Sequence, residues 1–506
     1  MTAAQLDLPR VLLTAPGGQF EVDEDLRKKL CLTGDRILYV VNGYGGDPYV
    51  QAFSERVRRA AGKKPEMHLV TPEEISQMYR GVTVDQQAAK HYRHVGNSNS
   101  TGKQDQVKQI LRDATAAGAS DIHFFATPQG HQLRFRVHGE LETVQSFAGG
   151  DGQQLLSTIY ETMSEQTGTS YRPAEKQDGR LRTEFVTECG LFGARVATRP
   201  TLNGPWMALR LLYDSGSEIS LEDAGYLPEQ IEAFHRLIHR INGIVLLTGT
   251  TGSGKSTTIQ TLLNMLLAAM DYSINLVTVE DPVEYRIKGA NQTPLGPSET
   301  WPQAIANMMR LDPDVGLIGE MRDNASAMAA FQAALTGHGM WSTLHVDSAA
   351  ASLQRLHDLG VEDNLTFDPG LVKGLVNQSL TRVLCPQCKV PYLTGRDALA
   401  VDLRQRVEAH CIPEQVHLIG DGCSACQGRG VIRRTVIAEI LQPDLEFMRR
   451  FREGGRAEAQ RFWIREQGGI TKNAHLLRRL NQGVIDPRHA ERDVCALDDD
   501  VAVLGR

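Results

Sequence analysis

At 506 residues the chain is too long for a single hydrophobic core, and about three domains is the natural expectation. Apolar residues make up 41% and charged residues 23%, the composition of a soluble globular protein. The net charge of −7 argues against a protein that coats nucleic acid through its overall field. No apolar run approaches the roughly 20 residues needed to span a bilayer. The first ten residues lack a basic stretch followed by an apolar one, so no signal peptide is expected and the chain reads as cytoplasmic. In that compartment its eight cysteines suit metal ligation or buried thiols better than disulfides.

In chain order, residues 36–41 are apolar and β-branched and predict a buried strand, ended by Asn42-Gly43. Short helices are predicted at 55–61 and 72–79. No chemical constellation appears before residue 96, and residues 1–95 read as a small α/β adaptor domain. The Gly/Ser/Asn-rich stretch 96–102 reads as a linker. A helix is predicted over 106–117, strands at 120–125 and 133–139, and a helix over 153–164. Short strand-like runs follow at 179–182, 193–199 and 207–212, each carrying arginine. Those arginines are either solvent-facing residues of an antiparallel sheet or fingers that compensate charge on a transferring phosphoryl group. From residue 220 strand-like runs alternate with helical patterns, at 244–248, 274–279, 315–318 and 340–344. That spacing predicts a parallel sheet with helices on both faces.

The chemistry is concentrated in this last region. Gly249-x4-Gly254-Lys255-Ser256 follows an apolar strand and opens a helix, the spacing of a P-loop. Glycines let backbone N–H groups converge on phosphate oxygens, and the helix N-terminus favours the same anion. Lys255 is expected to reach the β- and γ-phosphates and Ser256 to ligate Mg2+. Glu280-Asp281-Pro282-Val283-Glu284 sets three carboxylates at a strand end; the alternative is an acidic loop in solvent. Asp312-Pro313-Asp314 … Gly319-Glu320 is a second acidic strand end, with Glu320 where Mg2+ or its water would be held. His338 and His345 bracket a third strand, either as ordinary histidines or as sensors of a γ-phosphate. Cys385-x2-Cys388 and Cys423-x2-Cys426 can each place two thiolates on one tetrahedral Zn2+, with a helical insertion between the pairs. Such a site is closed and should stabilise, not catalyse; redox or incidental cysteines are the alternative. Cys31, Cys189, Cys411 and Cys495 show no partner pattern and read as ordinary thiols.

In this order the motifs resemble those of type II secretion and type IV pilus assembly (extension) ATPases, within the wider secretion-ATPase superfamily. The resemblance runs from about Ser120 to Val494 and includes the runs 134–139, Gln177-Asp178-Gly179-Arg180 and 379–385. It implies an α/β fold: a RecA-like P-loop NTPase domain at 220–506 with a tetracysteine zinc insert at 381–430. A PAS-like α+β domain, N2, would precede it at 103–214, after the small N-terminal domain. It implies a homo-hexameric motor with ATP between N2 and the RecA-like domain. Carried over by position, Gly249, Thr251, Gly252, Ser253, Gly254, Lys255, Ser256 and Thr257 would hold the nucleotide and Mg2+. Glu284 would be the general base, Glu320 the Walker B acid, and His338 and His345 the histidine box. Arg195 and Arg210 would approach the phosphates from N2. The zinc insert is shared with assembly and secretion ATPases and absent from pilus-retraction ATPases.

The implied function is ATP-driven pilus assembly at the inner membrane, with a secretion pseudopilus as the alternative and a nucleic-acid translocase as the less favoured rival. Implied partners are an inner-membrane platform protein and cytoplasmic assembly-complex proteins, with no direct nucleic acid and membrane attachment only through those partners. Gly316, and Gly339-Met340-Trp341, depart from the branched apolar residues usual in the family. The departures predict weaker packing of the strand at 315–318 and point to the type IVb or thin-pilus branch.

Overall fold

The computed structural model describes residues 12–79, apart from 16–19, 21, 23 and 62–63, and residues 102–504, apart from 149, 167–169, 214–218 and 297. The first unit is a three-stranded sheet of Leu30–Leu32, Ile37–Val41 and Glu66–Val70, antiparallel then parallel. Its strands alternate between two small cores. Leu30, Leu32, Leu38 and Val40 pack on Val50, Phe53 and Val57 of the helix Pro48–Ala61. Cys31, Tyr39 and Val41 face Ile75 of the helix Pro72–Tyr79. The helix expected at 55–61 thus starts earlier, at Pro48, where proline is tolerated in the first turn. The linker expected at 96–102 lies outside the described residues except for Gly102, which opens a helix over 102–116.

The second unit is a seven-stranded antiparallel sheet. Its spatial order is Glu140–Ala148, Gly130–Val137, Ala119–Thr127, Gly204–Tyr213, Leu191–Thr201, Gln177–Leu181 and Ser164–Gln166. Helix 102–116 and the helix Asp151–Ser157 cover one face, burying Leu111, Leu155 and Leu156 against Ile122, Phe124, Phe135, Val196 and Leu209. The helix expected over 153–164 ends early, in a wider turn at Thr158–Thr162. Hydroxyls compete with the backbone there: Thr158 and Thr162 bond the carbonyls four residues back, and Ser164 bonds that of Ile159. Ser164 already belongs to a strand.

The third unit holds a seven-stranded sheet in the order Asn291–Pro294, Leu276–Glu280, Val315–Ile318, Gly339–Leu344, Gly243–Thr248, Val372–Leu384 and Val431–Leu441. All neighbours run parallel except the last pair. Helices Pro228–Ile238 and Lys255–Ala269 cover one face. Helices Trp301–Met308, Asn324–Leu335, Ala351–Asp358 and Leu445–Glu466 cover the other. Burial on both faces explains the mostly apolar central strands.

The weak strand expected at Gly316 is not found. Gly316 lies directly opposite Met340, and a Cβ there would meet the methyls of Met308 and Met340 at 2.9 Å. Two flexible thioether side chains fill the space a branched residue would take, and the whole strand Val315–Ile318 is buried.

The two long end strands run out into the cysteine region. Between the cysteine pairs lie a two-stranded ribbon, Val390–Pro391 with His417–Leu418, and the helix Val401–His410. Tyr392, Leu403, Val407 and Leu418 share a core with Leu476 and Leu480 of the helix Lys472–Asn481 and with Ile485 and Leu497 of the connections that follow. Cys31 and Cys189 are buried as free thiols, and Cys411 and Cys495 are partly buried. No helix among the described residues is long and apolar enough to cross a membrane.

Candidate functional site

The strand Gly243–Thr248 is fully buried and delivers the glycine-rich loop at its C-terminal end. Gly249 has φ +140°, and a Cβ there would meet the backbone oxygen of Gln378 at 2.3 Å. Gly254, at φ +86°, turns the chain into the helix that starts at Lys255. Thr251 and Gly252 are exposed at the loop tip, and nothing lies within 4 Å of a Cβ built on Gly252. The Ser253 hydroxyl oxygen is buried and has no hydrogen-bond partner among the described residues. An open apex, convergent backbone and an unpartnered hydroxyl fit an anionic ligand.

Lys255 is buried and folds back on its own loop, donating to the carbonyls of Gly249 at 2.7 Å and Thr250 at 3.0 Å. Burial lowers its pKa to about 8, against the opposing pull of Glu320 and Glu284. Ser256 donates from Oγ to Glu284 at 3.1 Å, and Thr257 hydrogen-bonds Tyr285. The acidic loop therefore lies against the start of the P-loop helix.

Glu320 accepts from Arg322 Nε at 2.9 Å and lies 3.3 Å from His345 Nε2. Glu280 is held differently. Its Oε1 accepts from Thr278 at 2.7 Å and Gln292 at 3.0 Å, and burial raises its pKa. It braces the strand end, whereas Glu284 faces Ser256. Lys255, Ser256, Glu284, Glu320 and His345 thus gather at the C-terminal strand ends. His338 does not join them within one chain. It precedes the six-residue strand Gly339–Leu344, so it sits at the opposite end of that strand, about 20 Å from His345, and bonds Thr336 and the carbonyl of Ala333.

The arginines of the second unit form a row. Register places Arg180, Arg195, Arg210, Asp121 and Arg136 side by side across five antiparallel strands, on the face that the helices leave open. Arg210 bonds Asp121 at 3.2 Å and its charge acts on Tyr285 of the acidic loop. Arg195 is exposed beside it. Arg180 and Arg286 lie over Phe192, at 5.3 and 5.8 Å, so this sheet and the acidic loop share one cleft.

Sequence reasoning passed over the ties that hold the two units together. Arg382 pairs with Glu140, Arg429 makes a bidentate pair with Glu142 at 2.8 and 3.1 Å, and Arg492 reaches Glu140 at 3.4 Å. The partners are hundreds of residues apart, and only Arg382 stood inside a noted motif.

The four cysteine Sγ atoms lie within 4.8 Å of one another. Cys385–Cys423, Cys388–Cys426 and Cys423–Cys426 are 3.7, 3.9 and 3.8 Å apart. Tetrahedral Zn–S bonds of about 2.3 Å require S···S edges of about 3.8 Å, far from the roughly 2.0 Å of a disulfide. Backbone N–H groups of Cys423 and Gly430 point at Cys426 Sγ, at 3.1 and 3.2 Å, and lower its pKa to about 6. The donor set fits Zn2+.

The sequence profile described as "Type II/IV secretion system protein" matches residues 98–490. Type II secretion system ATPase E of Vibrio cholerae is 34% identical over 340 residues, 67% of this chain and 65% of that protein. Type IV pilus assembly ATPase PilB of Thermus thermophilus is 34% identical over 384 residues, 75% of this chain and 41% of that protein. The match thus spans less than two thirds of either relative. Among solved structures, the ATPase DotB of Legionella pneumophila superposes with a TM-score of 0.54 at 21% identity, covering 76% of this chain and 94% of that one. That likeness bears on the fold alone.

Proposed function

The chain belongs to the type II/IV secretion system protein family, and we propose that it is a motor ATPase that powers type IV pilus assembly. The observation that carries this reading is the convergence of Lys255, Ser256, Glu284 and Glu320 at the C-terminal ends of three strands of one sheet, beside an open glycine loop. Lys255 would leave its loop carbonyls to neutralise the β- and γ-phosphates, and the backbone around Gly252 would cradle them. Ser256 and Glu320 would hold Mg2+ or its water, which supplies charge neutralisation on the transferring phosphoryl group. Glu284 would take the proton of the attacking water, with Glu280 already occupied by Thr278 and Gln292. His345 would hold Glu320 in place. Arg210 and Arg195 would close from the second sheet, as a PAS-like N2 domain moving against a RecA-like domain.

A homo-hexamer on the cytoplasmic face of the inner membrane, acting on a platform protein, follows from the same reading. Zinc would be held by Cys385, Cys388, Cys423 and Cys426 and would stabilise the C-terminal region. The role of the first unit would be docking to cytoplasmic assembly-complex proteins. The second reading, a motor for a type II secretion pseudopilus, draws on the Vibrio cholerae relative.

The test is ATP hydrolysis by purified protein, with a chromosomal Lys255→Ala strain scored for surface pili and for secreted enzymes. We expect Lys255→Ala to abolish hydrolysis and pili. Loss of secretion with normal pili would select the second reading. Elemental analysis should give about one zinc per chain, and a metal-free protein of full stability under reducing conditions would remove zinc from the reading.

A further inference from the structure

A buried hydrogen-bond line joins the P-loop to the segment that leads into the third unit. Tyr226 is 2% exposed, and its hydroxyl lies 2.7 Å from Gln378 Oε1 and 2.9 Å from Thr258 Oγ1. Gln378, also fully buried, donates from Nε2 to the carbonyl of Ser253 at 2.8 Å. The polarity of the line is determined by counting donors. The Ser253 carbonyl accepts only, so the Gln378 amide must turn its NH2 towards it and its oxygen towards Tyr226. Tyr226 has one proton and spends it on Gln378, so Thr258 must donate to the Tyr226 oxygen. Every group at the inner end of the line is satisfied once, in one direction: Thr258 to Tyr226 to Gln378 to Ser253.

The line touches both limbs of the phosphate loop. Ser253 is in the loop and Thr258 is in the first turn of the following helix. The backbone of Gln378 also abuts Gly249, which leaves no room for a Cβ. The outer end is anchored just as firmly. Tyr226 follows the short helix Leu221–Ala224, and the carbonyls before it are clasped from the C-terminal part of the chain. Arg433 donates to Asp223 O, Thr435 to Ala224 O, and Arg479 and His475 to Gly225 O. His475 Nδ1 accepts from the backbone N–H of Ala438 at 3.1 Å, which leaves its Nε2–H for Gly225.

We propose that Tyr226 and Gln378 are positioning residues that hold the P-loop in its phosphate-ready shape and tie it to the entry segment at 221–227. A displacement of that segment, which comes after the second unit in the chain, is then transmitted to the Ser253 carbonyl through two side chains. The inference rests on the reading of the P-loop as a nucleotide site, but the clamp itself exists without nucleotide. Tyr226→Phe removes one oxygen and strands the Gln378 Oε1 without a donor. Gln378→Leu removes the amide and strands the Ser253 carbonyl and the tyrosine hydroxyl.

The experiment uses the full chain and reads two quantities. The first is amide hydrogen exchange over residues 249–258 in nucleotide-free protein. The second is KM and kcat for Mg-ATP, with oligomer size and Tm measured on the same preparations. We expect faster P-loop exchange in both variants and a KM raised about tenfold in Gln378→Leu, with kcat changed less and Tm lowered by a few degrees in each. The double variant should cost little more than Gln378→Leu alone, because both break one line, and Gln378→Met should not rescue it, since it restores length but no donor. Additive effects, or parent-like exchange and KM in both variants, would overturn the proposal. If Gln378→Leu does not fold, Tyr226→Phe alone decides, since it deletes a single atom. A parent protein that hydrolyses no ATP, with exchange still accelerated in Tyr226→Phe, would overturn the ATPase reading and leave the clamp standing.

Discussion

Among the described residues two sheets have seven strands each, and they solve the burial problem in opposite ways. The sheet of the third unit is parallel but for its last pair and has helices on both faces, so its four central strands are mostly apolar and buried. The antiparallel sheet of the second unit is covered on one face, so its strands alternate, as Gly130–Val137 does residue by residue. What this teaches is where each sheet can carry chemistry. A sheet buried on both faces offers only its strand ends, and Lys255, Glu284 and Glu320 are found there. A half-covered sheet offers a whole face, and an arginine row occupies it.

The largest effect that would sharpen this contrast is functional loss without structural loss on the open face. Arg210→Ala should lower turnover on the order of 10³-fold while oligomer size and Tm stay near the parent's. Hydrolysis at the parent rate would return Arg210 to the status of a solvated surface residue bonded to Asp121.

Next in size is a pH effect confined to the covered sheet. His475 is fully buried against the strand Val431–Leu441, and burial depresses its pKa to about 4. The unfolded chain takes up this proton near the ordinary value of about 6.5 and the folded chain does not. Stability is therefore flat above that pH, falls as pH drops from about 6.5 to about 4, and levels off below, for a loss on the order of 3 kcal/mol. Denaturant titrations of the parent and of His475→Gln across that range should show the slope flattened in the variant. An unchanged slope would place the acid sensitivity elsewhere.

A third change breaks the covered sheet by overfilling it. Gly316→Val should cost about 1–3 kcal/mol, because Met308 and Met340 already occupy the space. The double change Gly316→Val with Met340→Val should recover part of the lost Tm. Without recovery, the large-for-small exchange across the two strands is not what fills the site. The smallest effect belongs to the open face again. Arg199→Ala, at an exposed position, should alter stability by no more than about 0.5 kcal/mol in a denaturant titration. A larger loss would mean that the face is covered.

The sequence alone determined the features whose physics is local. Gly249, Gly254, Lys255 and Ser256 act within a few residues of one another, so their spacing carried the phosphate loop. Each CxxC turn brings its own two thiols together, so the tetracysteine cluster was legible except for its closure across the intervening insert. The four central strands of the covered sheet showed as apolar runs because both faces demand it, whereas Asn291–Pro294, Val372–Leu384 and Val431–Leu441, with polar residues among them, did not. Only the tertiary structure decided what depends on pairing and direction. It set Arg180, Arg195 and Arg210 in one row, since register is a property of strand pairs. It sent His338 to the far end of the strand from His345, since two residues flanking a strand are close in sequence and a strand's length apart in space. It matched Gly316 to Met340, and it joined Tyr226 to Gln378 across 152 positions. Single residues advertise their own conformational needs, but a buried donor finds its acceptor only after the chain has folded.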